Sequence, residues 1–108
     1  QFPEATTQLQ LVNNSGKYYY FDVAYNNHII EFNGDYWHAN PLFYNETDIL
    51  YRGNTAKDIW NKDKEKLDFA ISMGYKILVV WEHDYKKNKS ELLQNCINHF
   101  KGLLINES

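Results

Sequence analysis

Residues 17–38 read KYYYFDVAYNNHIIEFNGDYWH, and the organisation of the chain follows from them. Alternating segments flank Asn26-Asn27, a pair that tolerates positive φ and closes short hairpins. A turn centred on those asparagines sets Tyr25 opposite His28, Ala24 opposite Ile29 and Asp22 opposite Glu31. Two carboxylates then face each other with β-carbons about 5 Å apart. Tyr18, Tyr20, Ala24 and Ile29 are expected on the same face, which argues against full exposure of the pair. Like charges in that register repel unless a cation offsets them, and a hard divalent ion takes carboxylate oxygens. The expectation is a β-hairpin that serves as a metal-holding platform.

Outward from the hairpin, Gln1–Thr7 reads as loose and Gln8–Val12 as a first strand, with a turn at Asn13–Gly16. Lys17–Tyr25 and His28–Asn33 complete an antiparallel meander. Gly34 breaks the third strand, and Pro41 discourages helix at Asn40. Leu42–Arg52 has no clean period and reads as loop with a helical turn. Ala56–Met73 carries apolar residues at helical spacing, with Asn54 or Thr55 as N-cap and Gly74 as C′ residue. Asp63 falls in the middle of that apolar face, where an unpartnered carboxylate is costly. Tyr75–Trp81 (YKILVVW) suits a strand buried on both faces after a crossover. Glu82-His83-Asp84 closes it, Lys86–Lys89 reads as polar loop, and Ser90 caps a last helix with Leu92, Leu93, Cys96, Ile97 and Phe100 inward. The order β-β-β-α-β-α predicts an α/β fold, a mixed sheet with flanking helices.

The 108 residues suit one domain. The chain begins without Met and enters a strand almost at once, so the expectation is a domain excised from a longer protein. Net charge is −3, unlike a free-standing nucleic-acid binder but compatible with a catalytic domain whose acids hold metal. One cysteine, Cys96, excludes an intrachain disulfide and a cysteine-built cluster. No run reaches transmembrane length, no signal-peptide pattern opens the chain, and an intracellular setting with no membrane partner is expected.

Asp22, Glu31 and Asn33 form an acid, gap, acid-x-polar pattern used by many Mg²⁺-dependent nucleases. There, carboxylates hold the ion and the third residue positions water. His38, at the mouth of the loop after the third strand, is a candidate proton carrier. Asp63 is a candidate to orient it or to hold water near the ion. Asp35 and Glu82, with His83 and Asp84, form a second tier; Glu82 ends a central strand, where sites in α/β sheets gather. Trp37 and Tyr36 are candidates for core or base contacts, Trp60 for core, and His28 and His99 for structural roles.

Phe21-Asp22, IIEFNGDYWH at 29–38, NKDKEK at 61–66 and GYKILVVWE at 74–82 together resemble the very-short-patch-repair-like endonucleases of the PD-(D/E)xK superfamily. The resemblance covers about two-thirds of the chain. It is nearest to the EDxHD branch found in phage and intron-encoded homing endonucleases. It implies a restriction-endonuclease-like fold and Mg²⁺-dependent (or Mn²⁺-dependent) hydrolysis of double-stranded DNA. On this resemblance Asp22, His38 and Asp63 are catalytic, and the Phe32 carbonyl helps bind the ion. Repair-type members have a Thr-His pair where this chain has Phe32-Asn33, so Glu31 is expected to supply the superfamily's usual second acid. Their structural zinc positions correspond to Asp35, Asn40, Leu42 and His83, so neither a structural zinc nor a mismatch-repair role is expected. The family's leading Glu lies on an N-terminal helix, and Glu4 is the only acid ahead of the first strand here.

The expectation is therefore the catalytic domain of a homing endonuclease, acting as a homodimer inside a bacterial or phage-infected cell. Asp22, Glu31 and Phe32 would bind metal. A nuclease-like fold that only binds DNA or a protein is the alternative, and an RNA-directed nuclease a third option.

Overall fold

The computed structural model describes residues 4–102 of the protein. It is a mixed α/β fold: one four-stranded sheet and three helices. The strands are β1 (Thr6–Val12), β2 (Tyr18–Tyr25), β3 (His28–Asn33) and β4 (Lys76–Trp81), in the order β1-β2-β3-β4. The first three pair antiparallel, and β4 joins β3 in parallel. Helix α1 spans Ala56–Ser72, α2 Glu82–Lys87 and α3 Lys89–Phe100. No helix among the described residues is long and apolar enough to cross a membrane.

The hairpin register is the one expected: Tyr25 pairs with His28 and Ala24 with Ile29 across a turn in which Asn26 takes φ 53°. The strand phase departs from expectation. In β2, Tyr19, Phe21 and Ala24 are buried, so inward alternation slips by one between Phe21 and Ala24. Tyr18 and Tyr20 face solvent rather than sharing a face with Ala24. Asp22 sits at the slip, and opposite it Gln8 of β1 adopts φ 53°, leaving a gap in the β1–β2 pairing. A side-chain period of two cannot change face without such a local break.

α1 packs on the face carrying Phe21, Ala24 and Ile29 through Ala70, Leu67 and Phe69. Thr55 caps it in a capping box: its hydroxyl accepts from Asp58 N–H (3.1 Å) while the Asp58 carboxylate accepts from Thr55 N–H (2.9 Å). Thr55→Ala is expected to lower unfolding free energy by about 1 kcal/mol, measurable by urea denaturation. Gly74 follows the C-cap Met73 at φ 95°, the left-handed conformation that ends the helix.

Four segments differ from expectation. Thr6 and Thr7 already belong to β1; residues 1–3 of the segment read as loose lie outside the described residues. β4 is an edge strand rather than one buried on both faces, and of its six residues only Val80 is buried. Glu82–Lys87 forms a helix, and α3 begins at Lys89 rather than after a Ser90 cap. In α3 Leu93 is exposed and His99 is the buried centre, its Nε2 3.0 Å from the Ile29 carbonyl.

From the middle of α1, the Glu65 carboxylate accepts from Lys17 Nζ (2.8 Å) and Tyr19 OH (2.6 Å). These two hydrogen bonds hold its pKa below the usual 4.5 of a glutamate. A depressed folded-state pKa gives stability that is present above the unfolded value and lost as pH falls through the folded one. Melting temperature is therefore expected to drop as pH falls below about 4.5, and less steeply in Glu65→Gln.

Candidate functional site

Where β2 kinks, the β2–β3 ladder ends at Val23–Ile30 and side chains replace it. The Asp22 carboxylate accepts from Phe32 N–H (2.7 Å), and the Glu31 carboxylate accepts from Asp22 N–H (2.7 Å). Lys66 Nζ donates to the other Glu31 oxygen at 2.7 Å. Glu31 retains 7% of its side-chain exposure and Lys66 24%. The repulsion between the opposed acids is thus offset in the protein itself, by one ammonium and two backbone amides. Lys66 Nζ also lies 4.7 Å from the centre of the Phe21 ring.

The second pair comes from the loop after β3 and the middle of α1. His38 Nδ1 lies 2.8 Å from Asp63 Oδ2, and each side chain keeps about 30% of its exposure. Asp63 thereby gains the partner that its place on the inner helix face demands. A carboxylate accepts hydrogen bonds, so this contact suits the tautomer with the proton on Nδ1, in which the neutral ring turns its Nε2 lone pair away from Asp63. His38 is held there by its N–H to the Gly34 carbonyl (3.1 Å) and by Trp60, whose Nε1 donates to Ala39 O (2.7 Å).

Glu31, Asn33, His38, Asp63 and Lys66 line one narrow crevice, floored by Leu67 and Val79. Asp22 adjoins it through Glu31. A larger hollow of about 750 Å³ around Lys17, Tyr19 and Glu65 shares no residue with the crevice and holds no His or opposed acids.

The second-tier residues stand elsewhere. Asp35 Oδ1 accepts from Asn40 Nδ2 (2.9 Å) and His83 N–H (3.2 Å), while Asp35 N–H donates to Glu82 Oε1 (3.1 Å). Asn40 Oδ1 accepts from Leu42 N–H at 3.0 Å. Asp35, Asn40, Leu42 and His83 therefore converge, but as a hydrogen-bonded knot tying the loop after β3 to the start of α2. Glu82 is also paired with Lys86 (2.9 Å), and these contacts hold its pKa down. Asp35 and Glu82 shape the loop that carries His38 rather than entering the crevice. His28 and His99 lie on the opposite sheet face, their rings edge to face at 4.9 Å. Glu4 is exposed ahead of β1, and no helix precedes β1 among the described residues.

Lys66 is the site residue missed in the sequence, where it reads as a lysine off the apolar stripe of the helix, a possible partner of Asp63 and otherwise one of several dispersed solubility residues; the structure seats it on Glu31 instead. It lies three residues after Asp63 and seven after Ile59, which places it on the inner stripe of α1; that spacing was the available signal.

Among the described residues no group of three His, Cys, Asp or Glu is arranged to hold a metal ion. What the kink offers is the Asp22 carboxylate, with one oxygen on Phe32 N–H, the Phe32 carbonyl, and Glu31, whose two oxygens each already accept one hydrogen bond and would have to share it with the ion. The two polar backbone groups of an extended residue face the same neighbour, so the Phe32 carbonyl opens beside Asp22 as its N–H does. Two carboxylates and a carbonyl suit Mg²⁺, which keeps several waters and shares its sphere with substrate phosphates rather than needing an all-protein cage.

Comparison with family models, with curated proteins and with solved structures finds no match to this chain.

Proposed function

We propose that the protein is a Mg²⁺-dependent endonuclease domain with a restriction-endonuclease-like fold, hydrolysing phosphodiester bonds in DNA. The observation that carries this reading is the single crevice that joins a His38–Asp63 pair to a Glu31–Lys66 pair, next to Asp22. When bound, Mg²⁺ would supply Lewis-acid polarisation of the phosphate and a lowered pKa for its water. Asp22, with Glu31 and the Phe32 carbonyl, would hold it. His38 Nε2 takes the proton from the attacking water, and Asp63 fixes the imidazole orientation and stabilises its charged form. Lys66 stands where it can balance the charge of an approaching phosphate, and Asn33 offers an amide to water in the same crevice. Trp37, 60% exposed, and Tyr36, packed edge to face, line the neighbouring hollow that shares Asn33 with the crevice, and would offer ring contacts to bases there. The resemblance to very-short-patch-repair-like endonucleases adds to this reading. Cutting both strands would call for two copies, which fits a homodimer.

A nuclease-like module that only binds DNA or a protein is the second reading, favoured by the Lys66 ammonium already seated on Glu31. Titration calorimetry separates the two. Binding of Mg²⁺ or Mn²⁺ that disappears in Asp22→Asn is the expected result; no Asp22-dependent binding favours the non-catalytic module.

A further inference from the structure

The chain contains a single arginine, Arg52, and it occupies a strained position. Its φ of 55° and ψ of 27° are left-handed, a conformation that side chains larger than Asn or Asp seldom adopt. The turn around it is firmly built. Leu50 N–H donates to the Asn54 carbonyl (2.8 Å), and both Asn54 N–H (3.0 Å) and Asn54 Nδ2 (3.2 Å) donate to the Tyr51 carbonyl. Tyr51 anchors the turn to the candidate site: its hydroxyl donates to the Trp37 carbonyl (3.1 Å) and its ring lies 4.9 Å from that of Trp37. His38 is the next residue. Burial first, and then the Asp63 carboxylate, raise the Tyr51 pKa, while Arg52 opposes them, so the hydroxyl lies within the influence of both charges.

Arg52 is exposed and, unlike Lys17, Lys64, Lys66 and Lys86, makes no ion pair among the described residues. Nothing in its own contacts accounts for an arginine at a position that glycine or asparagine would fill with less strain. Backbone strain retained around an unpaired charge beside a candidate site is a functional signature. A guanidinium has the planar fork that matches phosphate oxygens.

We propose that Arg52 anchors a backbone phosphate of the nucleic acid flanking the scissile bond, its left-handed turn aiming the guanidinium along the Tyr51–Trp37 wall that leads to His38. This rests on the nuclease reading above and adds a positioning residue to it.

The test measures binding separately from cleavage. Fluorescence anisotropy with a labelled 20-base-pair duplex, in Ca²⁺ in place of Mg²⁺, is followed across a salt series for the parent, Arg52→Gly, Arg52→Lys and His38→Ala. Arg52→Gly relieves the strain, so its melting temperature is expected to equal or exceed that of the parent. Its affinity is expected to fall about tenfold, and the slope of log K against log salt to lose about 0.9, the value of one phosphate contact. Arg52→Lys should keep that slope, and His38→Ala should bind like the parent. Unchanged affinity and slope in Arg52→Gly overturn the role of Arg52 and leave the nuclease reading standing. No duplex binding by the parent at low salt overturns both.

Discussion

Replacing His38 by alanine is expected to slow DNA cleavage by about 10²–10⁴-fold, the usual contribution of a positioned acid–base group. The neutral imidazole offers a lone pair suited to a water proton: Nδ1 is turned to Asp63 and Nε2 makes no hydrogen bond among the described residues. The partner should show a related loss. Asp63→Asn keeps the size of the side chain but removes the charge that favours imidazolium, so the rate should fall in the same direction with little change in duplex affinity. Both side chains keep about 30% exposure, so neither change should unfold the protein. Single-turnover cleavage of a labelled duplex, with circular dichroism as the control for folding, checks both. A rate for His38→Ala equal to that of the parent would remove the histidine from the chemistry.

The second large effect is on stability. Lys66→Met leaves the Glu31 carboxylate at 7% exposure with only the Asp22 amide. Breaking a buried pair from one side leaves an uncompensated charge, with a cost of about 3 kcal/mol, or a fall of roughly 10–20 °C in melting temperature. Glu31→Gln combined with Lys66→Met removes the orphaned charge and should recover much of that loss, because an apolar or neutral replacement of a buried pair is well tolerated. Thermal denaturation of the single and double variants gives the comparison. If Lys66→Met melts like the parent, the ammonium is not what holds the two acids together at the kink.

How much of this was legible in the chain depends on the range of the interaction that decides each part. The hairpin register followed from Asn26-Asn27 and from alternation, both local, and β3 was read to its ends. The long helix was legible from its apolar spacing and its cap, and the unfavourable place of Asp63 on it pointed to a partner. The slip at Asp22 was not legible, because it depends on a left-handed Gln8 in the neighbouring strand as well as on β2 itself. The edge position of β4 could not be read either: an apolar run reports burial but not how many neighbours it has. EHDYKK reads as strand end and polar loop because a six-residue charged segment has neither an apolar period nor a side-chain cap of its own. Asp35 supplies a carboxylate to its second residue from 48 positions away. For the candidate site, the acids and His38 were read from residue type and spacing. Lys66 reads as a solvated lysine off the apolar stripe, yet its spacing of seven residues from Ile59 turns it inward to Glu31.

Cleavage of supercoiled plasmid DNA with Mg²⁺, comparing the parent with Asp22→Asn, tests the proposed function most directly. Asparagine preserves the hydrogen bond from Phe32 N–H and removes only the charge, so loss of cutting reports the metal site rather than the fold. The expected result is nicked or linear product with the parent, none after chelation, and none with Asp22→Asn. Equal cutting by the two proteins, or no cutting by the parent with either Mg²⁺ or Mn²⁺, would contradict it.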